Sequence, residues 1–126
     1  MNSRITPGIK GKQEMTVSHE DTATRYGSGL VEVFATPAMV AFMECTALKS
    51  IAEFLPGNAT SVGAEVNIKH LRASAVGRHL RCESQVLESS GRKIVFEVLV
   101  FDDELLVGHG THTRFIVDRE KFLSQI

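Results

Sequence analysis

Three residues, Glu44, His70 and Thr36, combine a reactive side chain with an unusual position. Glu44 is the one charge in the run Pro37-Ala-Met-Val-Ala-Phe-Met-Glu-Cys-Thr-Ala-Leu48. At about 100° per residue on a helical wheel, Thr46, Lys49, Ser50 and Glu53 gather as a polar face. Glu44 lies roughly 160° from Thr46, among Val40, Ala41, Leu48, Ile51 and Leu55. Desolvating an ionised carboxylate costs several kcal/mol, so it needs either a specific hydrogen-bonding partner or a raised pKa. His70 extends the alternation Val62, Ala64, Val66, Ile68 and so falls on the apolar face of its strand. That face is expected to pack on the helix that carries Glu44. Thr36 stands eight residues before Glu44, about 12 Å of helical rise, so the two should line one pocket without touching. Taken singly, His70 reads as a core histidine and Thr36 as a helix cap. Together, a hydroxyl, an imidazole and a carboxylate are the minimum for activating a nucleophile. In a dimer, the helix of one subunit could also meet His70 of the other.

The elements that must hold these residues are legible in outline. Thr36 is expected to be the N-cap of a long helix, with Pro37 at its first position, where a missing N–H costs nothing. The helix is expected to reach Leu55 and to stop at Pro56-Gly57-Asn58. Strands are expected over Gly11–Val17, Thr60–Leu71, Arg78–Glu88, Ile94–Phe101 and Leu105–Val117, with turns at Ser89-Ser90-Gly91 and Asp102-Asp103-Glu104. A short terminal helix is expected within Asp118–Ile126, and residues 1–10 read as a loosely held arm. One long apolar helix followed by four strands predicts an α+β fold, a curved antiparallel sheet wrapped around the helix. Its open edge predicts a homodimer, or a dimer of dimers.

Bulk properties narrow the function. The 126 residues carry 14 basic and 15 acidic side chains, a net charge of −1, which argues against nucleic acid and a membrane surface as partners. The length suits one domain, residues 1–126. Lys69, Arg72, Arg78 and Arg81 form the one basic cluster, and its simplest reading is a solvated sheet face. Two distant cysteines, Cys45 and Cys82, make no metal or disulfide framework. The polar start has no signal-peptide core, so a cytoplasmic location is the expectation. His109-Gly-Thr-His112 is not read as a metal pair, because strand residues three apart point to opposite faces.

The residues also carry a resemblance. Thr22-Ala23, Gly27-Ser28-Gly29 and Val33-Phe34-Ala35-Thr36-Pro37-Ala38-Met39-Val40-Ala41-Phe42-Met43-Glu44 resemble the signature of the fluoroacetyl-CoA thioesterase-like branch of hotdog-fold thioesterases. Val62 to Leu71 resembles that family's second block, and Gly110-Thr-His-Thr-Arg-Phe115 its closing strand. The resemblance spans roughly Thr16 to Val117. It implies a hotdog fold, a dimer, and hydrolysis of an acyl-CoA thioester without metal or organic cofactor. It implies catalytic roles for Thr36, Glu44 and His70 and an active-site role for Gly63. Leu30 is a candidate acyl-binding residue. The stretch Tyr26-Gly27-Ser28-Gly29-Leu30 holds one aromatic where the fluoroacetyl-CoA-specialised member has several, so a small or medium acyl group is expected, fluorinated or not. Arg72 or Arg78 is the candidate for the adenosine-phosphate end of CoA, and no motif singles out either. The alternatives are another acyl-thioester reaction of the fold, such as hydration or dehydration, and a non-catalytic acyl-CoA-binding module.

Overall fold

The computed structural model describes residues 4–126. Five strands form one antiparallel sheet: β1 (Lys10–Thr16), β2 (Ala59–His70), β3 (His79–Ser90), β4 (Lys93–Asp102) and β5 (Leu105–Asp118). Their spatial order is β1-β3-β4-β5-β2, so β1 and β2 are the two edges and the sheet is not closed. Three helices accompany it: α1 (Ala23–Tyr26), α2 (Thr36–Ile51) and α3 (Arg119–Ser124). The long helix α2 lies across the inner face of the sheet. Met39, Met43, Ala47 and Ile51 on its covered side bury completely against Leu80, Phe96, Val98 and Val100 of β3 and β4. The β4 sequence alternates to match: Ile94, Phe96, Val98 and Val100 are buried, while Lys93 and Glu97 are exposed.

Local chemistry explains where the chain turns. Gly91 (φ 61°) closes the β3–β4 hairpin, and Asp103 (φ 55°) closes β4–β5; aspartate is among the few other residues that enter the left-handed region readily. α2 draws on strong helix formers and tightens into a 3-10 turn over Ala52–Phe54 before Pro56. Gly108 of β5 faces the helix so closely that a Cβ there would meet Met39 Sδ at 2.5 Å.

The structure departs from the sequence expectations in four places. Ala35, not Thr36, is the N-cap of α2; Thr36 occupies the first helical position and its hydroxyl is used elsewhere. The N-terminal segment from residue 4 to residue 9 is packed: Ile5 is buried, Gly8 N–H donates to Val86 O, and Arg4 sits over the Phe54 ring. Residues 1–3 of the expected arm lie outside the described residues. The helix face read as polar is partly covered, because Thr46 is buried with its hydroxyl 2.8 Å from both Gln13 Oε1 and Phe42 O. Ala41, on the side read as apolar, is exposed, as is Pro37, and Val40 and Leu48 are half-buried. Finally, β2 carries a bulge between Gly63 and Glu65. It places Ser61 and Gly63 on the helix side before the bulge and Val66, Ile68 and His70 on that side after it. Val62 instead pairs with Phe115 on the outer face.

Candidate functional site

The start of α2 is clamped by backbone hydrogen bonds on both flanks. Phe34 N–H donates to Ser74 O (2.9 Å) and Ala35 N–H to Asp21 O (2.8 Å). Opposite, the end of β2 is tied down by Leu71 N–H donating to Val107 O at 2.7 Å. These two anchors bring Thr36 and His70 together, with Thr36 Oγ 2.8 Å from His70 Nδ1. The buried Phe34 ring meets the imidazole edge-on, at 6.1 Å between centroids. Burial pulls the His70 pKa below its usual value, and the nearby Arg72 backbone opposes that only partly. Neutral imidazole is therefore the form at neutral pH, free to take a proton. His70 Nε2 is buried without a hydrogen-bond partner among the described residues.

A cleft of about 290 Å³ opens beside this pair, lined by Ala23, Ser28, Val33, Thr36, His70 and Arg72. The exposed hydroxyl of Thr36 and the N-terminal turn of α2 face the same opening, and such a turn has unpaired N–H groups. A larger hollow of about 410 Å³ lies at the β1–β3–β4 edge, lined in part by Lys10, Lys12, Glu83 and Glu97. Its charges oppose one another across the strands, whereas the smaller cleft holds a hydroxyl in contact with an imidazole. The smaller one has the chemistry.

Glu44 occupies a second station. Its carboxylate lies over Gly63, where a Cβ would meet Glu44 Oε2 at 2.5 Å, His112 Cε1 at 3.3 Å and Arg114 Nη1 at 3.5 Å. The expected meeting of Glu44 with His70 does not occur within one protomer. Gly63 and His70 are separated by roughly 20 Å of β2 at about 3.3 Å per residue, and α2 holds Thr36 and Glu44 two turns apart. Glu44 instead has Arg114 and His112 as electrostatic partners.

Sequence reasoning missed those two partners. Arg114 is 6 % exposed; its Nε donates to Ser61 Oγ (2.8 Å) and its Nη2 to Ser61 O (2.9 Å). Burial lowers the Arg114 pKa while Glu44 raises it; a guanidinium starts so high that it stays charged. The signal was available: Gly108, Gly110, His112, Arg114 and Ile116 share one parity on β5, which places a histidine and an arginine on the helix side.

The remaining candidates divide. Gly63 faces Glu44, and Arg72 lines the Thr36–His70 cleft while staying exposed. Leu30 is 98 % exposed and Val31 is exposed beside it, on the loop that leads from α1 to α2. In the single protomer neither side chain forms part of the cleft wall, although Ser28 and Val33 on the same loop do. Arg78 forks onto Asp102, with Nη2 2.6 Å from Oδ1, and Arg81 pairs with Glu83, so those members of the basic cluster are engaged on the surface. Among the described residues no helix is long and apolar enough to cross a membrane.

Comparison with known proteins agrees with this architecture. Residues 17–120 match the model of the fluoroacetyl-CoA-specific thioesterase family. The chain is 30 % identical over its full 126 residues to the fluoroacetyl-CoA thioesterase of Streptantibioticus cattleyicolor, covering 91 % of that protein. A solved structure of the fluoroacetyl-CoA thioesterase FlK superposes with a TM-score of 0.89 at 25 % identity, over 96 % of this chain and 94 % of that one. A thioesterase-superfamily protein of Thermus thermophilus superposes with a TM-score of 0.88 at 26 % identity, over 96 % and 90 %. The curved sheet around α2 is thus the hotdog fold. This chain belongs to the fluoroacetyl-CoA-specific thioesterase family.

Proposed function

We propose that the protein is an acyl-CoA thioesterase that hydrolyses a small or medium acyl-CoA to the free acid and CoA, using Thr36 and His70. The observation that carries the reading is the 2.8 Å contact between the Thr36 hydroxyl and a half-buried imidazole whose pKa is lowered by its surroundings. Thr36 O–H donates to His70 Nδ1, and the proton passes there as oxygen attacks the thioester carbonyl. The attacking oxygen is that of Thr36, giving an acyl-enzyme, or a water held by the same pair. N–H groups of the first turn of α2 stabilise the oxyanion, an effect typically worth about 3–4 kcal/mol per donor. His70 then returns its proton to the leaving CoA thiolate. Where Thr36 has attacked, a water that gives its proton to His70 next cleaves the acyl-threonine ester, and that proton returns to the Thr36 oxygen as the free acid leaves. Arg72, on the cleft wall, is the cation available to the CoA phosphates.

Glu44 and Gly63 enter this scheme through a homodimer. The face of α2 that holds Glu44 has Pro37 and Ala41 exposed and Val40 and Leu48 half-buried, and β2 presents a twelve-residue open edge. A second copy laid against that face covers both. With the two helices running oppositely, Glu44 and Gly63 of the partner subunit approach Thr36 and His70. Leu30 and Val31, exposed on the loop whose Ser28 and Val33 line the cleft, then have an acyl chain or the partner to cover them.

The test is release of free CoA thiol from a panel of short, branched, aromatic and halogenated acyl-CoAs. Turnover in the wild type that collapses in Thr36→Ala and His70→Ala is expected. Binding of every acyl-CoA without turnover would replace the reading with a non-catalytic binding module.

A further inference from the structure

His112 has no part in the scheme above, yet it is one of the most buried polar side chains in the molecule, 1 % exposed. Its ring stacks on Phe96 of β4 at 6.1 Å and an interplanar angle of 27°. Both nitrogens are engaged. Nδ1 lies 2.8 Å from Glu65 O, at the β2 bulge, and Nε2 lies 3.1 Å from Arg114 Nη1. These partners decide the tautomer. A backbone carbonyl only accepts, so Nδ1 must carry the proton; a guanidinium only donates, so Nε2 must be bare. A second proton on the ring would remove the acceptor for Nη1 and set two cations side by side.

We propose that neutral His112 is a positioning residue: by accepting from Arg114 Nη1 it holds the guanidinium beside the Glu44 carboxylate at Gly63, and protonation of the ring releases that arrangement. The geometry supports it from every side. Ser61 on β2 fixes Nε and Nη2 of Arg114, so Nη1 is the donor left for His112. The bulge presents the Glu65 carbonyl to Nδ1, and Phe96 fixes the ring plane. Among the described residues the ionisable groups that act on His112 are Arg114 on its own strand and Glu44 on α2. Burial, with Arg114 adding to it, lowers its pKa, against the opposing pull of the Glu65 carbonyl and Glu44.

The catalytic consequence rests on the thioesterase reading, but the structural one does not, and two measurements separate them. The first is nitrogen NMR of the ¹⁵N-labelled imidazoles across pH, with His112→Gln to assign the signal. A ring protonated at Nδ1 and bare at Nε2 at pH 7.5, titrating below the ordinary histidine range of about 6.5, is expected. A ring protonated at Nε2, or doubly protonated at that pH, overturns the proposal whether or not the protein turns over any substrate. The second is hydrolysis of fluoroacetyl-CoA by two variants. His112→Phe keeps a ring against Phe96 but strands Nη1, and its kcat should fall about tenfold or more with a smaller change in KM. His112→Gln has an oxygen for Arg114 and an amide for Glu65 O, and should recover most of the rate at pH 7.5. Its acid limb should become shallower, falling with one proton, that of His70, where the wild type approaches two. A wild-type kcat in His112→Phe, or an unchanged acid limb in His112→Gln, overturns the positioning role. If His112→Phe fails to fold, the tautomer and the His112→Gln limb still decide.

Discussion

At the scale of single residues, the hydroxyl of Thr36 and the missing side chain of Gly63 are the two features most open to test. Thr36 is a poor cap candidate once Ala35 takes that place, and its hydroxyl is spent on His70. Thr36→Ala should therefore leave the melting temperature nearly unchanged while thioester turnover falls by roughly a hundredfold or more. Thr36→Ser, which restores the oxygen, should recover much of the loss. A Thr36→Ala enzyme within a few-fold of wild type would remove the hydroxyl from the mechanism. Gly63 carries a different prediction. A methyl there displaces the end of the Glu44 side chain and presses on His112 Cε1 at 3.3 Å, so Gly63→Ala should cost folding little while moving the carboxylate. Misplacing a reacting group by an ångström costs up to about a hundredfold. Equal kcat in wild type and Gly63→Ala would show that the carboxylate's position is irrelevant. Both experiments read CoA thiol release beside thermal unfolding.

At the scale of elements, the helix and the strands were legible because period and punctuation agreed. α2 begins at Thr36-Pro37 and the chain breaks before Pro56, while β4 alternates without interruption. The strand that carries the site was misread for a physical reason. A bulge inserts one residue, here Ala64, and reverses the inward parity on either side of it, but Gly63-Ala64-Glu65 has no turn-like composition to announce it. Reading one unbroken alternation from Val62 put His70 on the correct face and Val62 on the wrong one. The wheel for α2 failed in the complementary way. It assumed that polar residues face water, whereas Thr46 satisfies its hydroxyl internally and can be buried. Ala41, being exposed and apolar, is the place to test what the open face of α2 is for. Ala41→Arg should change the stability of an isolated protomer by no more than about 0.5 kcal/mol, but should shift the protein from dimer to monomer in light scattering and abolish turnover. A dimer that survives Ala41→Arg would move the interface elsewhere.

At the scale of the whole molecule, two histidines are held below their ordinary pKa by burial, His70 and His112. Between the depressed folded value and the ordinary value near 6.5, the unfolded chain binds more protons than the folded one, so stability rises with pH there. The melting temperature should accordingly drop as pH falls below about 6.5 and flatten once both rings are protonated in the folded state. His112→Gln should weaken that dependence. The lowered carboxylates, Glu14 beside His79 and Asp102 beside Arg78, act only at more acid pH and lie at the surface, where such pairs contribute little. A melting temperature independent of pH between 7 and 5 would contradict the burial of both rings.

The distance that α2 imposes between Thr36 and Glu44 has one further consequence. A rigid rod cannot fold back on itself to join its own two stations, so each reaction centre would draw its halves from different chains. Thr36→Ala and Glu44→Gln, each inactive alone, should then complement one another when unfolded and refolded together. The mixed pairs would contain one intact centre and one doubly disabled centre, returning about a quarter of wild-type activity, since half of randomly assorted pairs are mixed. Dilution below the dissociation constant of the pair should silence the enzyme without unfolding it, making turnover a reporter of how much of this protein is present.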